Sequence, residues 1–230
     1  MNWKLKCILF GENSVKKIIS FSLWGDNPIY TIGAIRNAEL AADIYPGWLC
    51  RYYVGKDVSI DTIKSLISFD NTELYIMNDD GGVALGTFWR FFAASDIDVD
   101  IMISRDTDSR LNMREKAAVD EWLASDKDFH IMRDHPYHNV PILAGMWGVR
   151  NFILSDMLCD IQEYNNADFW QIDQNFLRDI IYPKVKDRAM VHDEYFEKKT
   201  FPVERMSGCF VGQAFDENDK RLHPEHSEML

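Results

Sequence analysis

An α/β domain with a mostly parallel central sheet flanked by helices is what these 230 residues predict, on three observations. Short apolar runs rich in β-branched and aromatic residues alternate with stretches of helical spacing, the pattern of β-α units. The runs are closed by Gly, Asp, Asn and Pro, where a chain leaves a strand and starts a helix. Hydrophobic residues make up 47% of the chain, enough for one full core, and no repeat, low-complexity tract or linker divides it.

Taken in order, residues 17–24 form a β-rich run that ends in Gly25-Asp26-Asn27-Pro28, a turn whose proline suits the first turn of a helix. That helix places Ile35, Ala38 and Ala42 on one face and stops at Tyr45-Pro46-Gly47. A strand over 48–54, a helix near 61–67 and a strand over 73–77 follow, then a helix over 82–94 and a strand over 99–104. Asn112, with Glu115 three residues on, caps a helix running through Ala118, Trp122 and Leu123. The second half is less regular: strands near 129–132, 142–149 and 190–192, and helices near 152–164 and 169–181. Residues 1–215 thus read as one domain and 216–230 as a loose polar tail whose His223 and His226 are solvated.

The formal net charge of −12 excludes general nucleic-acid binding, which draws its affinity from clustered Lys and Arg. One phosphorylated small molecule remains compatible with it if a bound cation supplies the positive charge. The apolar run in the amino-terminal ten residues is too short to span a membrane and no cleavage site follows it, so a cytoplasmic protein is expected. Cys7, Cys50, Cys159 and Cys209 are far apart, without a CxxC pair, and read as buried free thiols.

The chemistry concentrates where the strand over 99–104 runs into Arg105-Asp106-Thr107-Asp108. In an extended segment alternate residues point the same way, which puts Asp106 and Asp108 on one side with Thr107 facing away. Ligands of open α/β sheets bind at this carboxyl edge. Two adjacent carboxylates there suit a hard divalent cation, Mg²⁺ or Mn²⁺, or a shared proton; an acidic solvated turn is the plain alternative.

The words FSLWGD (21–26), SRDTDSRL (104–111), REKAAVDEWL (114–123), MRDHPYH (132–138) and GMWGV (145–149) resemble a small family of GT-A-fold glycosyltransferases in bacteria and large DNA viruses. The resemblance covers most of residues 17–213. It implies a GT-A-like domain with a nucleotide-sugar-binding half over about 17–110 and an acceptor half over about 111–215. It also implies a metal-dependent hexosyl- or pentosyltransferase with a nucleotide-diphosphate-sugar donor, UDP-sugar favoured over GDP-sugar, and a glycan or other hydroxyl acceptor. Asp106 would then face the ribose and the metal, Asp108 would bind the metal, and His192 resembles the third ligand of such domains, although a strand-edge histidine reads equally well.

Asp173-Gln174 resembles the Asp-Gln placed beside the reacting sugar, with Asp173 as general base, and a helix-opening aspartate is the structural reading. Asp134 is the rival base in a polar loop that, with His135, would shape the sugar pocket; zinc on His135 and His138 lacks a third ligand at useful spacing. Gly145, Met146 and Trp147 offer an open backbone beside an aromatic face for stacking, unless Trp147 is core. Ser22, Leu23, Trp24 and Asp26 would lie against the base and ribose, and Arg90 and Arg105 near the phosphates. Inversion or retention is open. The alternatives are a non-catalytic binding protein of the same fold and, further off, a sugar-phosphate nucleotidyltransferase, which would carry a glycine-rich basic loop in place of WGDNP.

Overall fold

The computed structural model describes residues 15–81, 85–164, 171–206 and 208–230. Among them the strands β1 (Lys17–Leu23), β2 (Leu49–Val54), β3 (Thr72–Ile76), β4 (Ile101–Ser104), β5 (Phe129–Arg133), β6 (Trp147–Arg150) and β7 (Ala189–Asp193) form one seven-stranded sheet ordered β3-β2-β1-β4-β6-β5-β7. β1 to β4 pair in parallel, β6 is antiparallel to both neighbours, and β5 pairs in parallel with β7. The chain is therefore an α/β domain with a mostly parallel sheet.

Alternation along the central strands feeds two cores. Ile19, Phe21, Leu23, Ile101 and Ile103 face α1 (Pro28–Ile44), α2 (Ile60–Ile67) and α4 (Met113–Ala124), with Ala34, Leu66 and Trp122 among the covering residues. Ile18 and Met102 face the opposite layer, where Phe88 of α3 (Gly86–Trp89), Ile161 of α5 (Met157–Tyr164) and Phe176 of α6 (Ile172–Phe176) pack with Trp147 and Phe129. Both faces being covered explains why these strands read as continuous apolar runs.

Helix starts follow the expected chemistry. Asn27 Oδ1 accepts from Ile29 N (3.0 Å) with Pro28 at the first helical position, and Asn112 Oδ1 accepts from Glu115 N (3.0 Å). The Glu115 carboxylate does not reach back to complete a capping box; it accepts from Arg105 Nε and Tyr45 Oη, 3.0 Å each, deep in the interior.

Several expected elements are shorter. In place of a helix over 82–94 stand α3 and a 3-10 turn at Phe92–Ser95, residues 82–84 lying outside the described ones. Phe88, Trp89 and Phe91 are all buried, so this segment has no polar face on which an amphipathic helix could rest. The strand expected over 142–149 begins only at Trp147, because Ala144 N bonds the Gln174 side chain (3.1 Å) and Met146 N turns back to Leu143 (3.0 Å). The helix expected over 152–164 starts at Met157, after a turn with Phe152 at φ 67°. That expected over 169–181 starts at Ile172 and widens into a π turn at Leu177–Ile181 before α7 (Tyr182–Val185), whose Pro183 has no N–H to donate; residues 165–170 lie outside the described ones.

The tail is not loose. Asp219 accepts from Arg110 Nε (2.8 Å) and Arg36 Nε (3.0 Å), and Pro224–Met229 forms a 3-10 turn. Of the thiols, Cys50 is buried, Cys209 half-buried and Cys159 exposed, all free; Cys7 lies outside the described residues.

Candidate active site

Parallel β1 and β4 are neighbours, so the loops that follow them open at one sheet edge. The chain leaves β1 through Trp24 and β4 through Asp106, and between them lies a cavity of about 500 Å³. It is lined by Ser22, Leu23, Trp24, Arg90, Asp106, Asp108, Asp173 and Gln174 from the expected set, and by Tyr30, Thr87, Thr107, Ala144, Gln171, Gly212 and Ala214.

The turn holding the two aspartates is strapped from three sides. Asn37, buried on α1, donates to the carbonyls of Thr107 (3.3 Å) and Ser109 (2.9 Å) and accepts from Leu111 N (3.1 Å). A Cβ on Gly33, one helical turn earlier, would stand 2.1 Å from the Thr107 carbonyl, so helix backbone rests on turn backbone. From the tail, Phe215 N donates to the Asp108 carbonyl (2.8 Å) and Ser109 bridges Ala214. Because the segment turns here instead of staying extended, Thr107 also reaches the cavity wall and does not simply face away.

Arg90 is the one arginine among the described residues lining this cavity. It pairs with Asp106 through Nη1 and with Asp173 through Nη2 (2.8 Å), while its backbone N–H bonds Ser22 Oγ (2.9 Å). Burial opposes its charge, but Asp106, Asp173 and Asp108 together hold its pKa above the ordinary arginine value. One cation against three carboxylates leaves excess negative charge. Burial, and then Asp106, push Asp108 up to about 6. Burial also raises Asp173 against the pull of Arg90, with Asp106 adding to the rise. Burial, followed by Asp108 and Asp106, keeps the Tyr30 hydroxyl protonated beyond its usual range. Hard oxygen donors carrying surplus charge are a donor set that fits a divalent cation.

Two close approaches shape the walls. A Cβ on Gly145 would stand 2.0 Å from Asp106 Oδ2, so the absent side chain makes room for the carboxylate. Trp24 is wedged against the backbones of Gly55, Gly81 and Gly86 and meets Trp89 edge-on at 6.2 Å. The Gln174 amide is engaged at both ends, by Ala144 N and the Ile142 carbonyl, and its own N–H bonds Asp173 Oδ1 (2.8 Å).

Other expected residues lie elsewhere. Asp26 is exposed and outside the lining. Arg105 is buried on Glu115 and the Ser104 carbonyl (2.7 Å), fixing α4 to the end of β4 instead of meeting a phosphate. Trp147 is fully buried, stacked on Phe129 at 5.3 Å, and Met146 is buried against Gly212, so neither presents a stacking face. His192 is no ligand of this cavity: its Nδ1 bonds His130 Nε2 (2.8 Å), its Nε2 faces Glu121 (3.3 Å), and burial lowers its pKa against Glu121. Asp134 is fully buried between Arg114 and Arg205 and accepts from Val211 N (2.9 Å), which leaves it no path to a substrate. His135 lines a different, smaller cavity.

Asn37 was missed in the sequence, although a signal existed: an amide among Gly33, Ala34, Ala38 and Ala41 on a helix face otherwise made of small residues.

S. aureus TarS residues 1–349 superimposes with a TM-score of 0.52, at 12% identity over 79% of this chain and 58% of that one. Its complex with UDP matches equally, at 0.52, with 15% identity over 78% and 58%. The fold is GT-A-like. The present chain spans only somewhat more than half of that structure's length, and the likeness at this identity is one of fold. The apo-form glycosyltransferase GlyE of Streptococcus pneumoniae was also found, with a TM-score of 0.48 at 16% identity over 79% and 46%. No family model matches the chain, and no curated protein matches its sequence.

Proposed function

We propose that this chain is a metal-dependent glycosyltransferase that moves a sugar from a nucleotide-diphosphate donor to an acceptor hydroxyl. The observation that carries the reading is the convergence of Asp106, Asp108 and Asp173 on a single arginine, in one cavity at the carboxyl edge of β1 and β4. Asp106 and Asp108 would hold Mn²⁺ or Mg²⁺, which when bound stabilises negative charge on a leaving diphosphate.

The remaining roles belong to the chain's own groups. Trp24, immobilised by three glycine backbones, offers an aromatic wall for a nucleobase, and Ser22 and Leu23 border it. Arg90 supplies a fixed guanidinium for a phosphate oxygen. Asp173, made more basic by burial, is the group to accept the proton of the acceptor hydroxyl, held in place by Arg90 and Gln174 N. The UDP bound to TarS favours a UDP-sugar donor. No helix among the described residues is long and apolar enough to cross a membrane.

The test is thermal stability with UDP, GDP, dTDP and CMP, each with and without Mn²⁺, in the parent chain and in Asp108→Ala. A ligand at 100 times its dissociation constant adds about 2.7 kcal/mol. A shift for one nucleotide that requires Mn²⁺ and vanishes in the variant is expected. The same shift with and without the metal would sink the metal assignment, and no shift with any nucleotide would favour a non-catalytic binding protein.

A further inference from the structure

Gly212 and Ala214 line the aspartate cavity and also a second cavity of about 220 Å³ beyond it, which is bordered by His135, Tyr137, His138, Phe210, His223 and His226. The histidines there are not equivalent. His135 has both ring nitrogens engaged: Nε2 with the His226 carbonyl (3.0 Å), Nδ1 with Tyr137 N (3.1 Å). A carbonyl only accepts, so the His135 proton is on Nε2 and the ring acts as a clamp on the His226 backbone.

His223 and His226 sit in the sequence His223-Pro224-Glu225-His226 at the start of the 3-10 turn. Residues three apart eclipse in that geometry, and the two rings stack at 4.8 Å with 22° between planes. Glu225 Oε1 comes within 3.3 Å of His223 Nδ1, and one ligand atom from each of the three residues lies within 4.8 Å of the other two. Ligands around a tetrahedral zinc are roughly 3.4 Å apart, from Zn–N bonds near 2.1 Å. Closing on an ion therefore asks for about an ångström of side-chain movement, and His223 and Glu225 are exposed and free to make it.

The backbone under the trio is held. Ser227 Oγ donates to the Gly208 carbonyl (2.8 Å) and accepts from Gln213 (3.2 Å) and Arg221 (3.2 Å), besides the His135 clamp. Two imidazoles and one carboxylate on a preformed turn suit a borderline transition metal and not Mg²⁺ or Ca²⁺, which want oxygen. We propose that His223, Glu225 and His226 form a zinc-class metal site, separate from Asp106 and Asp108, with its fourth position open to water. Metal here pins the tail, and Phe215 of that tail bonds the carbonyl of Asp108.

The experiment is titration of the chelator-stripped full chain with Zn²⁺ against a chromophoric competitor, and with Co²⁺ followed by visible absorption. The site requires one equivalent bound with tetrahedral Co²⁺ bands, retained in Asp108→Ala and lost in His223→Ala and in His226→Ala, and a melting temperature raised by Zn²⁺ in the parent and in Asp108→Ala but in neither histidine variant. His223 is exposed, so His223→Ala should melt with the metal-free parent and separates lost ligation from lost folding. Absence of binding, binding unaffected by either histidine variant, or binding lost in Asp108→Ala would each overturn the assignment. None of these outcomes depends on the transferase reading.

Discussion

Asp106 and Asp134 make a controlled comparison. Each follows the carboxyl end of a strand, β4 and β5 respectively, and each pairs with arginine. Asp134 is met by two arginines, with Arg114 Nε and Nη2 on its two oxygens at 3.0 Å, Arg205 at 2.6 Å and Val211 N at 2.9 Å, and Arg114 is shared only with the neighbouring Glu194 (2.7 Å), so two cations face two carboxylates. Asp106 shares a single arginine with Asp173 and has Asp108 beside it. Full pairing makes a buried carboxylate part of the scaffold; unmatched charge leaves it with an appetite for a cation. The pairing around a carboxylate, more than its sequence neighbourhood, separates architecture from chemistry.

The sharpest way to break this contrast is Asp134→Ala. Removing one partner of a buried ionic cluster costs about 3–5 kcal/mol, so urea denaturation should show a loss of that size. A loss similar to that of Asp108→Ala would erase the distinction. Next comes Asn37→Ala, which takes one donor from the Thr107 and Ser109 carbonyls, both still met by Arg110 Nη1, and strands the Leu111 N–H beside the aspartate turn; an expected loss of about 1–3 kcal/mol should be joined by a weaker Mn²⁺-dependent nucleotide shift.

The two regions should also respond to pH with opposite sign. Folded Asp108 holds its proton up to about 6 against a usual value of 3.8, so the metal-free protein loses stability as pH rises through that window, and Asp108→Asn should flatten the slope. His138, beside Asp134 and with Nδ1 accepting from its N–H at 3.0 Å, is pushed by burial from 6.5 down to about 3. There the unfolded chain takes up the proton first, so stability falls as pH drops from about 6.5 towards 3, and His138→Gln should remove that part. Urea midpoints across pH 3–7 check both. The smallest effect is expected for Arg90→Gln: with the guanidinium gone from the aspartates, Mn²⁺ alone should bind several-fold tighter by calorimetry while the nucleotide binds less well.

What the sequence disclosed depended on the range of the interaction. The strands, the helix capped by Asn112 and the place of Asp106 and Asp108 rest on neighbours a few residues away, and they were legible. The roles of Asp134 and His192 could not be read because their partners are remote: Arg205 is 71 residues from Asp134 and His130 is 62 from His192. A polar residue after a strand looks the same whether its partner is a distant arginine or a ligand. The shortened helix at α3 had a different cause, since a run of aromatics buried all round carries no periodicity to read.

Gly33 has a consequence for how this protein tolerates change. Where the backbone of α1 touches the Thr107 carbonyl there is no side chain to yield, so helix and turn move as one body. A saturation library at position 33 should therefore return glycine alone among functional clones, and any graft that retilts α1 will shift Asp106 and Asp108 with it, however far from the cavity the change is made.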